Sequence, residues 1–162
     1  MRTLAALLLT SIPLAGVAQE CPRTDREESA AIARRWHEDV INARTPTALQ
    51  EILGPRVTHH AAGGYPDTMD PAEVAKMMDD FLSSFPDLEY TIDDLIVEND
   101  KVVERYTASG TQTGPLGDLP ASGRSATWTG INIFRIECGR IAEVWSEVDA
   151  LARNRQLIGD MP

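Results

Sequence analysis

The sequence offers little for metal or redox chemistry. It has two cysteines and three histidines in 162 residues. Cys21 and Cys138 stand in opposite halves, so there is neither a CxxC pair nor a zinc-finger spacing. No HExxH run, no tight His/Asp cluster and no glycine-rich phosphate loop occurs. Positive charge is also short: 15 Lys and Arg stand against 25 Asp and Glu, a formal net charge of −10. Such a chain repels phosphate backbones and anionic lipid, which argues against nucleic acid as a partner. There is no internal repeat and no low-complexity tract, and only one apolar run is long enough to suggest targeting.

That run lies at the N-terminus. Arg2 precedes the apolar stretch Leu4–Ala18, which is too short to span a bilayer as a mature helix and is interrupted by Pro13. Small residues Gly16-Val17-Ala18 end it, and polar Gln19-Glu20 follow. These features predict a signal peptide over residues 1–18, cleaved after Ala18, and one domain over residues 19–162. The mature protein is then periplasmic or secreted, with no membrane association after cleavage. In an oxidising compartment Cys21 and Cys138 can close one disulfide that ties the N-terminus to a late hairpin; two free thiols are the alternative.

Periodicity divides the chain into helices first and strands later, an α+β pattern. Thr24 and Glu27 have capping-box spacing, and Ile32, Trp36 and Val40, with Ala33 and Ile41, form a helical stripe. His37 falls off that stripe and is expected in solvent. Pro46 opens a second, short helix that Gly54-Pro55 ends. Arg56–Ala62 reads as a short strand, and residues 63–67 as a loop. Asp70-Pro71 with Glu73 starts a third helix whose Val74, Met78, Phe81, Leu82 and Phe85 read as core. Period-two strands follow at about Glu89–Glu98, Lys101–Thr113, Ser125–Ile136 and Arg140–Asp149, with turns at Asn99-Asp100 and Cys138-Gly139. Gly114–Gly123 is a loop between the two hairpins, and a last helix covers about Leu151–Leu157.

The last third also carries specific motifs. Trp128-Thr-Gly-Ile-Asn-Ile-Phe-Arg-Ile136 is followed by Cys138-Gly-Arg-Ile-Ala-Glu-Val-Trp145, then Asp149-Ala-Leu151 and Arg155-Gln-Leu157. Upstream stands Phe85-Pro86-Asp87-Leu88. In this order they resemble the SnoaL-like polyketide cyclases and their ester-cyclase relatives, over essentially the whole mature chain. The resemblance implies an α+β nuclear transport factor 2-like cone: three N-terminal helices packed on a curved, mostly antiparallel sheet around a pocket. It implies a cofactor-free, metal-free intramolecular aldol condensation, in which a carboxylate takes a proton from an activated carbon and polar groups hold the enolate.

Carried over residue by residue, the resemblance puts Ser146 where the aromatic polyketide cyclases have their aspartate base. Asn132 stands at their histidine, and Gly130 at a glutamine. Trp128, Gly130, Asn132 and Phe134 share one face of a regular strand, and Val144, Ser146 and Val148 one face of the next. Asn132 and Ser146 are thus candidate substrate contacts, with Trp128 and the loop residue Tyr65. Asp149 matches an ester-cyclase aspartate and is a candidate catalytic group, although an aspartate just before a helix is also a good N-cap. Of His59 and His60, which point oppositely, alignment selects His59 as the inward, candidate catalytic residue. Trp145 is expected in the core or at a dimer interface. The reading is an enzyme of cyclase, lyase or isomerase type on a small hydrophobic carbonyl compound, homodimeric as relatives of the fold commonly are. The alternative is a non-catalytic periplasmic protein that binds a small molecule in the same cone. Isomerases and epoxide hydrolases of this fold rank last, since their paired acidic residues are not evident here.

Overall fold

A computed structural model describes residues 21–61 and 67–159. Residues 1–18 and Tyr65 lie outside the described residues. The first helix opens with α1, Arg26–Arg35. Its cap is Asp25, whose carboxylate accepts from the Glu28 N–H at 2.8 Å, one residue later than the capping-box spacing suggested. The Thr24 hydroxyl instead accepts from the Gly139 N–H at 3.0 Å. It thereby ties the segment before α1 to the Cys138-Gly139 turn, beside the disulfide between Cys21 and Cys138.

The helix continues as a π-helical stretch, Trp36–Asn42, closed by an Ala43 N–H to Glu38 C=O bond of 2.9 Å. This widening has a consequence for side-chain direction. Buried pairs recur at Ile32-Ala33, Trp36-His37 and Val40-Ile41, every fourth residue. An α-helix of 3.6 residues per turn lets such pairs drift around the axis, and the wider π-turn brings them back into line. His37 is therefore buried at 1% exposure, which corrects the expectation of a solvated histidine.

α2 (Ala48–Ile52) runs directly into β1 (Leu53–Ala61). The strand begins before Gly54-Pro55, so these residues sit inside it and do not mark a break. β2 (Asp67–Met69) pairs antiparallel with β1 and was not foreseen. α3 (Pro71–Ser84) has the full capping box of Asp70 and Glu73. β3 (Glu89–Glu98), β4 (Lys101–Thr111), β5 (Ser125–Glu137) and β6 (Arg140–Val148) form the meander, and α4 (Ala150–Ile158) closes the chain.

The six strands lie in one curved sheet of order β2-β1-β6-β5-β4-β3. The sheet is mixed, because β1 pairs parallel with β6. The three helices of the first half do not form a block at the N-terminus, since β1 and β2 come before α3. The inner faces of β4 and β5 alternate strictly, with Val102, Glu104, Tyr106 and Ala108 on one strand and Trp128, Gly130, Asn132, Phe134 on the other. Helices α1 and α3 cover this face, and Ile41, Leu49, Phe85 and Phe134 fill the core.

The motifs of the last third are mostly scaffold. The Gln156 side-chain amide accepts from the Thr127 N–H at 2.9 Å and donates to its C=O at 2.7 Å. It binds α4 to the edge of β5 as a short extra ladder would, and Leu157 is buried beneath it. At the Phe85–Leu88 junction the Arg44 guanidinium donates to three carbonyls, those of Phe85, Pro86 and Leu88. Asp87 accepts from the Thr111 N–H at 2.6 Å, a bond that holds its carboxyl below the usual range. The Gly114–Gly123 loop is pinned by buried Gln112, which donates to Leu119 and Pro120 carbonyls.

Candidate active site

A cavity of about 440 Å³ opens between the concave sheet face, the first helix, α3 and α4. Its walls are largely apolar: Trp36 and Ile41 from the first helix, Met77, Met78 and Phe81 from α3, Trp128 and Val148 from the sheet. Met78 and Phe81 read as core in the sequence; here the α3 stripe is wide enough to pack on the core and also face the cavity.

Register places the polar groups. Glu104 on β4 is opposite Asn132 on β5, and Asn132 is opposite Ser146 on β6. Ser146 is in turn level with Ala61 on β1, two residues after His59. Three polar side chains therefore lie in one row across adjacent strands. His37 comes down on this row from the π-turn, and His59 approaches it from the other end.

The resulting hydrogen bonds have a single direction. The Ser146 hydroxyl donates to Asn132 Oδ1 at 2.7 Å. Its proton is thus committed, and at 3.3 Å from His59 Nε2 it can only accept. His59 accordingly carries its proton on Nε2 and keeps Nδ1 as a lone-pair acceptor. The Asn132 amide donates to His37 Nε2 at 3.4 Å, which leaves the His37 proton on Nδ1, against Glu104 Oε1. The row therefore runs donor to acceptor from the half-buried His59 through Ser146 and Asn132 to His37, whose Nδ1 side meets Glu104, a carboxylate of 0% exposure, in a close imidazole–carboxylate contact.

Aromatic rings hold the buried end. His37 stacks on Tyr90 with ring centres 4.6 Å apart and tilts against Tyr106 at 5.1 Å. Tyr106 lies across Gly130, its cross-strand partner. A Cβ at Gly130 would collide with the Tyr106 hydroxyl and ring. The missing side chain at Gly130 thus makes room for a tyrosine from the neighbouring strand, and Tyr106 lines the cavity.

Burial sets the protonation preferences. It pushes the His59 imidazole below its ordinary range; His60 adds to this and Asp67 opposes it. Neutral imidazole, the form able to accept a proton, is therefore favoured. Burial also pushes the Tyr90 hydroxyl well above its ordinary value and Tyr106 in the same direction.

The residues named from the sequence divide as follows. His59, Asn132, Ser146 and Trp128 all line the cavity. His60 faces the other side of the sheet, where it pairs with Glu143 at 2.8 Å and stacks on Trp145 at 5.0 Å. Trp145 accordingly belongs to the outer face. Asp149 caps α4, accepting from the Ala152 N–H at 2.9 Å, and does not line the cavity. Among the described residues no group of three His, Cys, Asp or Glu side chains is arranged to hold a metal.

Three groups of the site escaped the sequence reading: His37 and Arg153, which line the cavity, and Glu104, which lies beneath it against His37. Each carried a signal. His37 sits four residues from both Ala33 and Ile41 on the buried stripe. Glu104 interrupts the apolar alternation Val102, Tyr106, Ala108. Arg153 occupies the face of α4 that also carries Ala150 and Leu157.

A curved sheet closed by helices around a polar-floored cavity defines a protein of the nuclear transport factor 2-like fold. A family model described as SnoaL-like polyketide cyclase matches residues 31–157, and the chain belongs to that family. Among solved structures it is similar to TsrD from Streptomyces laurentii, with 34% identity, TM-score 0.73, and 83% of this chain and 97% of that chain covered. It is also similar to IdmH from Streptomyces antibioticus, with 25% identity, TM-score 0.69 and coverage of 81% and 99%. A SnoaL-like polyketide cyclase from Agrobacterium tumefaciens shares the fold at 23% identity and TM-score 0.68, with 80% and 97% covered. No curated protein matches the chain.

Proposed function

We propose that this chain is a cyclase-type enzyme performing cofactor-free acid–base chemistry on a small hydrophobic carbonyl compound. The observation that carries the proposal is the directed row from His59 to His37, backed by Glu104, on the floor of a largely apolar cavity. His59 Nδ1 removes a proton from the carbon beside a carbonyl, and the C–H electron pair moves into an enolate. Asn132 spends one amide hydrogen on His37 and has a second for the enolate oxygen. The enolate carbon then attacks another carbonyl carbon of the same molecule. A C–C bond forms, and the new alkoxide takes the proton back from the His59 imidazolium. While His59 is cationic, its Nε2–H leans on a chain ending at Glu104, which stabilises that charge.

Ser146, at the family's usual base position, is a link in this chain, and Asp149 is a cap. Trp128 contacts the apolar body of the substrate, as does Tyr65, which is proposed from the sequence alone. The family name supports ring closure; the geometry supports the proton transfer it requires.

The test is hydrogen exchange. The protein is incubated in D₂O with a panel of aryl and alkyl β-keto esters, and C–H loss is followed by NMR. Protein-dependent exchange, lost in His59→Gln and kept in the outer-face variant His60→Gln, is the expected result. Binding of the esters without any exchange overturns it and leaves a non-catalytic small-molecule-binding protein. That second reading is favoured by the serine that stands where the family has its aspartate.

Export as a homodimer completes the proposal. A disulfide fits an oxidising compartment, and Ile131 on the outer sheet face is 43% exposed, apolar surface that a second copy would cover. Sedimentation is expected to give a two-chain mass, and the exported chain to begin at Gln19. A monomer at every concentration overturns the first expectation, and a retained Met1 the second.

A further inference from the structure

Arg153 is the unneutralised cation of the cavity wall. Arg35, Arg56, Arg105 and Arg135 sit on carboxylates, while Arg44 and Arg140 sit on backbone carbonyls. Arg153 has neither among the described residues; its Nε donates only to the neighbouring Asn154 side chain at 3.2 Å. Its guanidinium lies over the Trp128 ring, 5.5 Å from the ring centre, and both residues line the cavity.

A second observation points the same way. The Trp128 side chain is buried, and its indole N–H has no acceptor among the described residues. An unmet buried donor costs stability unless a ligand completes it. We infer that the substrate is an anion whose carboxylate is taken by Arg153, with the Trp128 N–H as second donor, while its apolar body lies against Trp36 and Phe81. This deepens the proposed function and rests on the same cavity being the substrate site.

The chemistry favours a carboxylate. A guanidinium presents paired donors to two oxygens, and its cation–π contact with the indole leaves those donors free. Burial lowers the Arg153 pKa, with Tyr90 and Tyr106 opposing, so an incoming anion relieves a desolvated charge. Overall charge makes the placement informative. A chain with a formal net charge of −10 repels anions at long range, and a cation left without a carboxylate in its cavity supplies the local attraction that an anionic substrate needs. A carboxylate also anchors one end of the molecule, which fixes which of its carbons meets His59.

The test compares 2-naphthylacetate with its methyl ester by titration calorimetry on the full protein. The acid is expected to bind more tightly than the ester. Arg153→Met, which keeps an unbranched apolar stem, is expected to raise the Kd of the acid roughly tenfold or more and leave the ester unchanged. Arg153→Lys is expected to fall between. Thermal melting of each variant shows that the fold is kept. Equal weakening of acid and ester in Arg153→Met overturns the inference, because the arginine then only shapes the wall. So does tighter binding of the ester by the unaltered protein. The two proposals fail separately: an acid that binds through Arg153 while no β-keto ester exchanges hydrogen leaves the anion site standing and removes the chemistry. Exchange of esters with no preference for the acid does the reverse.

Discussion

His37 and Glu104 meet as an imidazole–carboxylate pair beneath the cavity, with side-chain exposures of 1% and 0%. One comes from the π-turn of the first helix and the other from the middle of β4. A carboxylate placed among Val102, Tyr106 and Phe134 costs desolvation energy that an apolar residue would not, and neither of its oxygens has a hydrogen-bond partner among the described residues beyond the close contact with His37. The pair is explained by what it supports, the row that ends at His59.

Glu104→Ala is expected to destabilise the protein by about 3–5 kcal/mol, since it strands the His37 N–H in a dry site. Glu104→Gln keeps an acceptor and is expected to cost less, about 1–3 kcal/mol. Urea unfolding measures both. If Glu104 orients and polarises the row, Glu104→Gln also lowers kcat for α-hydrogen exchange while KM stays near its original value. An unchanged kcat in a folded Glu104→Gln protein would make the pair purely structural.

The pH profile tests the base. The folded protein holds the His59 pKa below its ordinary value, so the neutral imidazole survives into more acidic solution. The acid limb of kcat/KM is therefore expected below pH ~6.5, the ordinary histidine value. Stability carries the same sign. The unfolded chain takes up the proton more readily, so this stabilising contribution is present above the unfolded pKa and is lost as pH falls through the folded one. An acid limb at or above the ordinary histidine value would show that another group is being titrated.

β4 and β5 are readable because each alternates strictly, and α3 because Asp70, Pro71 and Glu73 leave no other start. The motif residues are legible as short words, but the contacts they make are not: Gln156 clamps Thr127 and Arg44 gathers the Phe85, Pro86 and Leu88 carbonyls across long stretches of chain. The site was only half legible. His59, Asn132 and Ser146 follow from alternation and alignment. The row itself depends on cross-strand register and on a π-turn, and neither is a property of any single segment. β2 is three residues long and exists only because β1 offers it an edge.

Gly130→Ala tests the relation between the glycine and Tyr106. The added methyl meets the Tyr106 ring and the Glu147 carbonyl, so the tyrosine must leave its place or β5 must shift. A loss of about 1–3 kcal/mol is expected, together with weaker binding of 2-naphthylacetate because the cavity wall moves. Tyr106→Phe removes only the hydroxyl. Pairing it with Gly130→Ala in a double-mutant cycle should show coupling between the two positions. Additive effects would mean that Tyr106 does not feel residue 130.

The disulfide closes a loop of sequence separation 117 between Cys21 and Cys138. Constraining so long a loop in the unfolded chain is worth about 3–5 kcal/mol. Cys21→Ser with Cys138→Ser is expected to lower the unfolding free energy measured in urea by that amount, with little change in ligand binding, because neither cysteine lines the cavity. Adding a reductant to the unaltered protein should match the double variant. If reduction changes nothing, the bridge does not contribute to stability in solution.

Asp149 separates a structural from a chemical role most cleanly. Its carboxylate accepts from the Ala152 N–H, and the helix it caps holds both Arg153 over Trp128 and Gln156 on Thr127. Asp149→Ala is expected to cost about 1 kcal/mol and to loosen binding of 2-naphthylacetate through Arg153. Asp149→Asn, also a good cap, is expected to restore most of the stability and the binding. A base cannot be replaced by an amide, whereas a cap can. If Asp149→Asn melts like the unaltered protein but abolishes α-hydrogen exchange, the aspartate is the base and His59 is its partner. If exchange persists, the proton goes to His59.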